Sequence, residues 1–172
     1  MSSHGSKICV IGIWHLGSVV SASLAEMGYS VVGVDRDRER IEKLNHGIPP
    51  LYEPGLDQLL KRNIELKRLN FATDLGSAVK GARYILITFD TLVDARDEAD
   101  ISEIFTACCA MAKHLENNSI VVVSSQVPVG TCDQIRSIIK EHNNLIDFDI
   151  AYSPENLRLG QAIECFRNPD RI

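Results

Sequence analysis

Long hydrophobic runs, excess basic charge and paired cysteines are all missing from this chain. No apolar run comes near the roughly 20 residues needed to cross a bilayer as a helix, which counts against a membrane protein. The opening MSSHGSK is polar and lacks the apolar stretch of a secretory signal. Residues 1–6 are therefore expected to be a disordered leader and residues 7–172 a single domain. Against 23 Asp and Glu stand only 18 Lys and Arg, for a net charge of −5. A nucleic-acid surface needs a basic face, so nucleic acid is not an expected partner. The five cysteines, Cys9, Cys108, Cys109, Cys132 and Cys165, show no metal-ligand spacing. Their odd number without an export signal implies reduced thiols and a cytoplasmic location, and no metal site is expected. Cys9 and at least one of Cys108 and Cys109 read as small buried hydrophobes.

What the chain does contain is an alternation of short apolar runs and helical patterns. Strands are expected at Lys7–Gly12, Ser30–Asp35, Leu69–Ala72, Tyr84–Thr88, Ser119–Ser124 and Asp149–Tyr152. Helices are expected at Leu16–Met27, Asp37–Asn45, Pro54–Lys61, Leu75–Lys80, Ile101–Leu115 and Thr131–His142. Runs such as YILIT and SIVVVS are apolar throughout, as parallel strands covered on both faces must be. Alternating βα units predict an α/β fold with a doubly wound parallel sheet. Right-handed crossovers and the glycine motif described next give strand order 3-2-1-4-5-6. In such a sheet ligands bind outside the carboxyl ends of the strands, so the loops there are the place to look.

The first of those loops carries the strongest signal. ICVIGIWHLG, residues 8–17, runs from a strand through Gly12 to Gly17 and into a helix. It differs from the dinucleotide fingerprint G-x-G-x-x-G at its middle position, where Trp14 stands. The first glycine makes the turn, the second admits the pyrophosphate, and the third lets helix pack on strand. Gly12 and Gly17 keep the outer two tasks. The indole of Trp14 must either turn out over the cleft or block it. Asp35 ends the second strand, 18 residues after Gly17, near the spacing of roughly 20 expected for an acid on the adenosine ribose. It could equally cap the helix that follows. An acid there repels a 2′-phosphate and favours NAD, while Arg36 and Arg38 beside it pull the other way.

The remaining loops say less. Leu44–Gly55 reads as a rigid connector, with Gly47 ending a helix and Pro54 opening the next. Thr88–Asp100 holds several acids without ligand spacing and reads as a solvated loop. Ser124–Thr131 brings hydroxyl and amide groups to a strand end, with Thr131 placed as an N-cap. Those polar groups are placed to face a nicotinamide or a reacting carbon. Glu155 and Arg158 follow the sixth strand, where a carboxylate could act as a base or position water, or form an ordinary surface pair.

Taken in order, SASLAEMGYSVVGVD, IPPLYEPGLDQLL, VPVGT, SPENLRLGQAI and NPDR resemble the N-terminal NAD-binding domain of the UDP-glucose/GDP-mannose dehydrogenase family, and the likeness runs from Ile8 to Ile172. The resemblance implies a Rossmann-like domain, NAD as cofactor, and a nucleotide sugar such as UDP-glucose as substrate. It implies oxidation of a C6 alcohol to a carboxylate with two NAD⁺, through a thiohemiacetal and a thioester on a cysteine. That cysteine, the central dimerising helix and the substrate domain lie beyond this chain in the family. The chain alone is therefore expected to be inactive, and the full-length protein to be a homodimer.

Residue by residue, the resemblance implies cofactor contacts from Gly12, Ile13, Trp14, His15, Leu16, Gly17, Asp35, Arg36, Thr91 and Gln126. Glu155 matches the glutamate that assists water attack on the thioester, and Asn156, Leu157 and Arg158 match the loop touching the sugar nucleotide. The chain departs from the family at Trp14 and His15, at Asp90 and Leu92 around Thr91, and at Ser124 and Gln126. These changes leave open a non-catalytic nucleotide-binding or scaffolding homologue.

Overall fold

A computed structural model describes residues 5–91, 99–155 and 157–169. Six strands, β1 (Lys7–Ile11), β2 (Ser30–Val34), β3 (Leu69–Ala72), β4 (Tyr84–Ile87), β5 (Ser119–Val123) and β6 (Phe148–Tyr152), form one sheet. Its order is β3-β2-β1-β4-β5-β6 and every neighbouring pair is parallel. The expected α/β architecture and strand order are both present.

Strand residues alternate between the two faces of the sheet. Cys9 and Ile11 of β1 join a core with Ile85, Ile87, Val121 and Val123. That core is covered by α4 (Leu75–Val79), α5 (Ser102–Ala112) and α6 (Thr131–His142). Ile8 and Val10 join the opposite core, covered by α1 (His15–Glu26), α2 (Arg38–Asn45), α3 (Leu56–Glu65) and α7 (Ala162–Arg167). Burying one Val, Leu or Ile side chain stabilises by about 2 kcal/mol. A helix cap contributes about 1 kcal/mol. The two apolar layers, not the caps, therefore decide the fold. Cys9 and Cys108 are fully buried, and burial pushes both thiols up to about 12.

Several boundaries differ from the sequence reading. β1, β2, β4 and β5 each stop one residue early, although Gly12, Asp35, Thr88 and Ser124 still donate their backbone N–H groups to the neighbouring strand; at β1 the turn is made by Gly12, with φ of 90°. β6 gains Phe148, whose ring is buried. α1 starts and ends one residue earlier than expected, at His15 and Glu26, and α4 stops at Val79. α3 covers Leu56–Glu65 rather than Pro54–Lys61, since Gly55 sits in the left-handed region and buried Leu56, Leu60 and Asn63 continue the helical face. α5 covers Ser102–Ala112 rather than Ile101–Leu115. α6 is preceded by left-handed Gly130, so Thr131 is not the cap; its hydroxyl donates to Pro128 O at 2.7 Å. α7 was not expected at all. It is one short turn and a half with a single fully packed residue, Ala162, too little for a periodic signal.

Candidate functional site

The loop after β1 is built around two glycines that nearly touch. A Cβ on Gly17 would stand 2.2 Å from Gly12 O and 2.8 Å from Thr88 Oγ1. A Cβ on Gly12 would stand 2.8 Å from the Phe89 ring. Buried Thr88 fixes the approach, its hydroxyl donating to Ile11 O at 3.0 Å and Gly12 O at 2.8 Å. The third-glycine role is thus visible as close packing of α1 on the β1 turn. Trp14 is the residue before α1, no side chain caps the helix, and its first turn holds no acid. Free N–H groups at such an end favour an anion.

Asp35 anchors the same loop. Its Oδ2 accepts from Ile13 N at 2.9 Å and from Arg40 at 2.8 Å, and its Oδ1 accepts from Asp37 N at 3.0 Å. It does not cap α2; Asp37 does, accepting from Arg40 N at 3.0 Å. The Arg40 guanidinium lies 4.8 Å from the centre of the Trp14 ring. Trp14 is 38% exposed and stands in the wall of a cleft of about 580 Å³ that it does not fill. Gly12, Asp35, Arg36, Arg40, Phe89 and Glu103 line the same cleft. Arg36 is exposed and pairs with Glu103 of α5 at the rim.

A second, more polar cleft of about 610 Å³ lies on the other side of Phe89 and Asp90, which line both. His15, Leu16, Thr91, Ser124, Ser125, Gln126, Glu155, Leu157 and Arg158 complete its walls. Thr91 Oγ1 donates to Gln126 O at 2.7 Å, tying the loops after β4 and β5 together. Burial pushes the Glu155 carboxyl up. Desolvation at the rim pushes Asp90 up, while His15 and Arg40 pull it back. Asn156 lies outside the described residues, as does most of the acidic run that follows Thr91. Among the described residues no cluster of His, Cys, Asp or Glu is arranged to hold a metal. None of their helices is long and apolar enough to cross a membrane.

Behind the polar cleft sits Glu53, only 3% exposed. Its Oε2 accepts from His15 Nε2 at 3.1 Å and from Gly160 N at 2.7 Å, and its Oε1 accepts from Ala162 N at 2.8 Å. Burial acts to raise this carboxyl, but the three donors outweigh it and hold it below the usual range. A depressed carboxyl stabilises the fold above the unfolded value, and that contribution is lost as pH falls through the folded value. Glu53→Gln should therefore lower stability at neutral pH by about 2 kcal/mol, since it sets an amide against backbone donors. Melting curves should then show a shallower acid loss below about pH 5 than the unaltered chain does. Identical acid limbs would contradict this.

A family model described as the UDP-glucose/GDP-mannose dehydrogenase family, NAD binding domain, matches residues 6–172. The chain belongs to that family. UDP-glucose 6-dehydrogenase of Rhizobium meliloti is 41% identical over 167 residues, covering 96% of this chain and 38% of that protein. The corresponding enzyme of Pseudomonas aeruginosa is 35% identical over 170 residues, again 96% and 38%. The structure of a UDP-glucose dehydrogenase from Pyrobaculum islandicum superposes with a TM-score of 0.91 at 32% identity, covering 98% of this chain and 40% of that one. A ternary complex of GDP-mannose dehydrogenase from Pseudomonas aeruginosa superposes at 0.89 and 29% identity, covering 94% and 39%. The chain thus spans about two-fifths of the length of these relatives. It is an NAD-binding domain of the family, and its cofactor is NAD.

For this member of the dehydrogenase family, the structure gathers the sequence-selected residues into two groups. Gly12, Trp14, Asp35 and Arg36 line the apolar cleft. His15, Leu16, Thr91, Gln126, Glu155, Leu157 and Arg158 line the polar one. Ile13 and Gly17 line neither: Ile13 is fully buried and meets Asp35 through its amide, and Gly17 is the packing contact. Sequence reasoning missed Arg40, Glu53 and Glu103, and it gave Thr88 and Phe89 no role beyond their place in a strand-end loop. Glu53 left a trace, a lone acid in the otherwise apolar and proline-bracketed IPPLYEPGL. Arg40 left none beyond its helix, because its partners depend on how α2 sits against the glycine loop.

Proposed function

We propose that the chain is the cofactor-binding part of an NAD-dependent nucleotide-sugar 6-dehydrogenase that oxidises a C6 alcohol of a UDP-glucose-like substrate to a carboxylate. The carrying observation is the pair of clefts that meet at Phe89 and Asp90 beside the uncapped start of α1. The residues fit a dinucleotide. A carboxylate has about four acceptor positions, and the protein uses three on Asp35, leaving one for a ribose hydroxyl. Of the arginines that follow Asp35, Arg40 is held by Asp35 itself and Arg36 pairs with Glu103 at the surface.

In this reading adenosine occupies the apolar cleft, with Asp35 on the ribose and the start of α1, residues 14–17, presenting backbone N–H groups to the pyrophosphate, since the amides of Gly12 and Ile13 are taken by Val34 O and Asp35. The nicotinamide half occupies the polar cleft beside His15, Leu16, Thr91 and Gln126. Bound NAD supplies the hydride acceptor. Glu155 serves as the group that positions water, and burial in the cleft wall raises its carboxyl. Asn156, Leu157 and Arg158 are the residues proposed to bind the sugar nucleotide. The whole protein is proposed to work as a homodimer in the cytoplasm, where the five free thiols stay reduced.

Trp14 is the sole tryptophan and stands in the apolar cleft wall, so it reports on occupancy. Titration with NADH should quench its emission saturably at micromolar concentration. NAD⁺ should compete and NADP⁺ should not. No change up to millimolar NADH would reject the cofactor reading and leave a scaffolding homologue as the better account.

A further inference from the structure

Glu53 lines neither cleft, yet it holds His15, a residue in the wall of the polar one. It lies between Tyr52 and Pro54 in the connector before α3. Its three donors come from two distant parts of the chain. His15 opens α1 and lines the polar cleft. Gly160 and Ala162 follow Leu157 and Arg158, which line the same cleft. A single buried carboxylate therefore fastens two walls of the polar cleft to one point.

The chemistry at that point is specific to glutamate. Oε2 takes two donors and Oε1 takes a third. A glutamine amide would direct N–H at a backbone N–H whichever way it turned, and an aspartate is one carbon short. A carboxylate only accepts, so His15 Nε2 is the donor, and Nδ1 is the ring nitrogen left to meet a ligand. In the neutral ring Nδ1 accepts, which suits a ribose hydroxyl or a carboxamide N–H.

We propose that Glu53 is a positioning residue for the nicotinamide half of the dinucleotide, acting through His15 and the 157–160 segment. The inference rests on the dinucleotide reading above. Losing one well-placed hydrogen bond and its orientation should weaken binding about tenfold. Calorimetric titration of the 172-residue chain should then show NADH bound about tenfold more weakly by Glu53→Gln. AMP, which needs only the apolar cleft, should bind as before. His15→Phe should show the same split, and the double variant should lose less NADH affinity than the two single losses combined, because the part of the Glu53 effect that runs through His15 is already gone.

A merely structural Glu53 would weaken both ligands alike or neither, and either result overturns the proposal, whereas a lower melting temperature is expected in both cases. If Glu53→Gln fails to fold, His15→Phe decides alone, since it keeps both backbone bonds to Glu53. Weakened NADH with retained AMP supports the proposal, and unchanged NADH overturns it. Failure of the unaltered chain to bind NADH overturns the dinucleotide reading and this inference together. NADH binding that is indifferent to both variants overturns this inference only.

Discussion

Trp14→Gly should weaken NADH binding about tenfold, although it restores the generic glycine fingerprint. Motif logic alone says the reverse, since a glycine at the middle position lets the backbone approach the pyrophosphate. The geometry decides against that. The indole does not fill the cleft; it forms part of the wall and stacks 4.8 Å from the Arg40 guanidinium. Arg40 in turn holds Asp35 at 2.8 Å. Such a cation–π contact contributes about 0.5–1 kcal/mol. That contact exists in the free chain and acts on binding only by holding Arg40 and Asp35 in place. The direct loss is the aromatic wall facing adenine, worth up to about 1.5 kcal/mol, a factor of about ten in affinity. Helix loss is not the cause, because glycine is tolerated in front of a helix. Calorimetry is the measurement, as the variant lacks its fluorophore. Trp14→Phe should retain most of the affinity. Tighter binding by the glycine variant would show that the indole obstructs the cofactor.

Trp14 also marks where sequence reading stops. A bulky residue in the fingerprint is plain in the letters, but its direction is not. That direction depends on Arg40, five residues beyond Asp35 on a helix whose rotation the sequence leaves open. The sheet was legible because its information is local. Runs such as SIVVV are apolar on both faces, and the glycine turn fixes which strand is central. Asp35 was legible because its distance from Gly17 follows from one βα unit. Glu53 was not, because its partners lie 38, 107 and 109 residues away. α7 was not, because one buried alanine makes no pattern. Local periodicity therefore recovers the scaffold and the cofactor loop, while the residues that lock loop to loop emerge only once the chain is folded.

The strongest test of that scaffold is Gly17→Ala. On helix propensity alone the change should stabilise, since alanine in a helix interior is favoured over glycine by about 1 kcal/mol. Packing predicts the opposite. The new Cβ would meet Gly12 O at 2.2 Å and Thr88 Oγ1 at 2.8 Å. Neither can retreat cheaply. The Gly12 carbonyl is held by the Thr88 hydroxyl, which also bonds Ile11 O, and Gly12 itself is wedged against the Phe89 ring. Moving α1 outward would open the core around Val19, Val20 and Ala22. Overpacking of this kind costs about 3 kcal/mol or more, which exceeds the propensity gain. For a chain of this size the melting temperature should fall by about 6–12 °C. NADH binding should disappear with it, because the displaced start of α1 is the proposed pyrophosphate site. A variant that melts at or above the unaltered temperature would mean that α1 does not pack on the β1 turn as described. The cofactor assignment of both clefts would then lose its geometric basis.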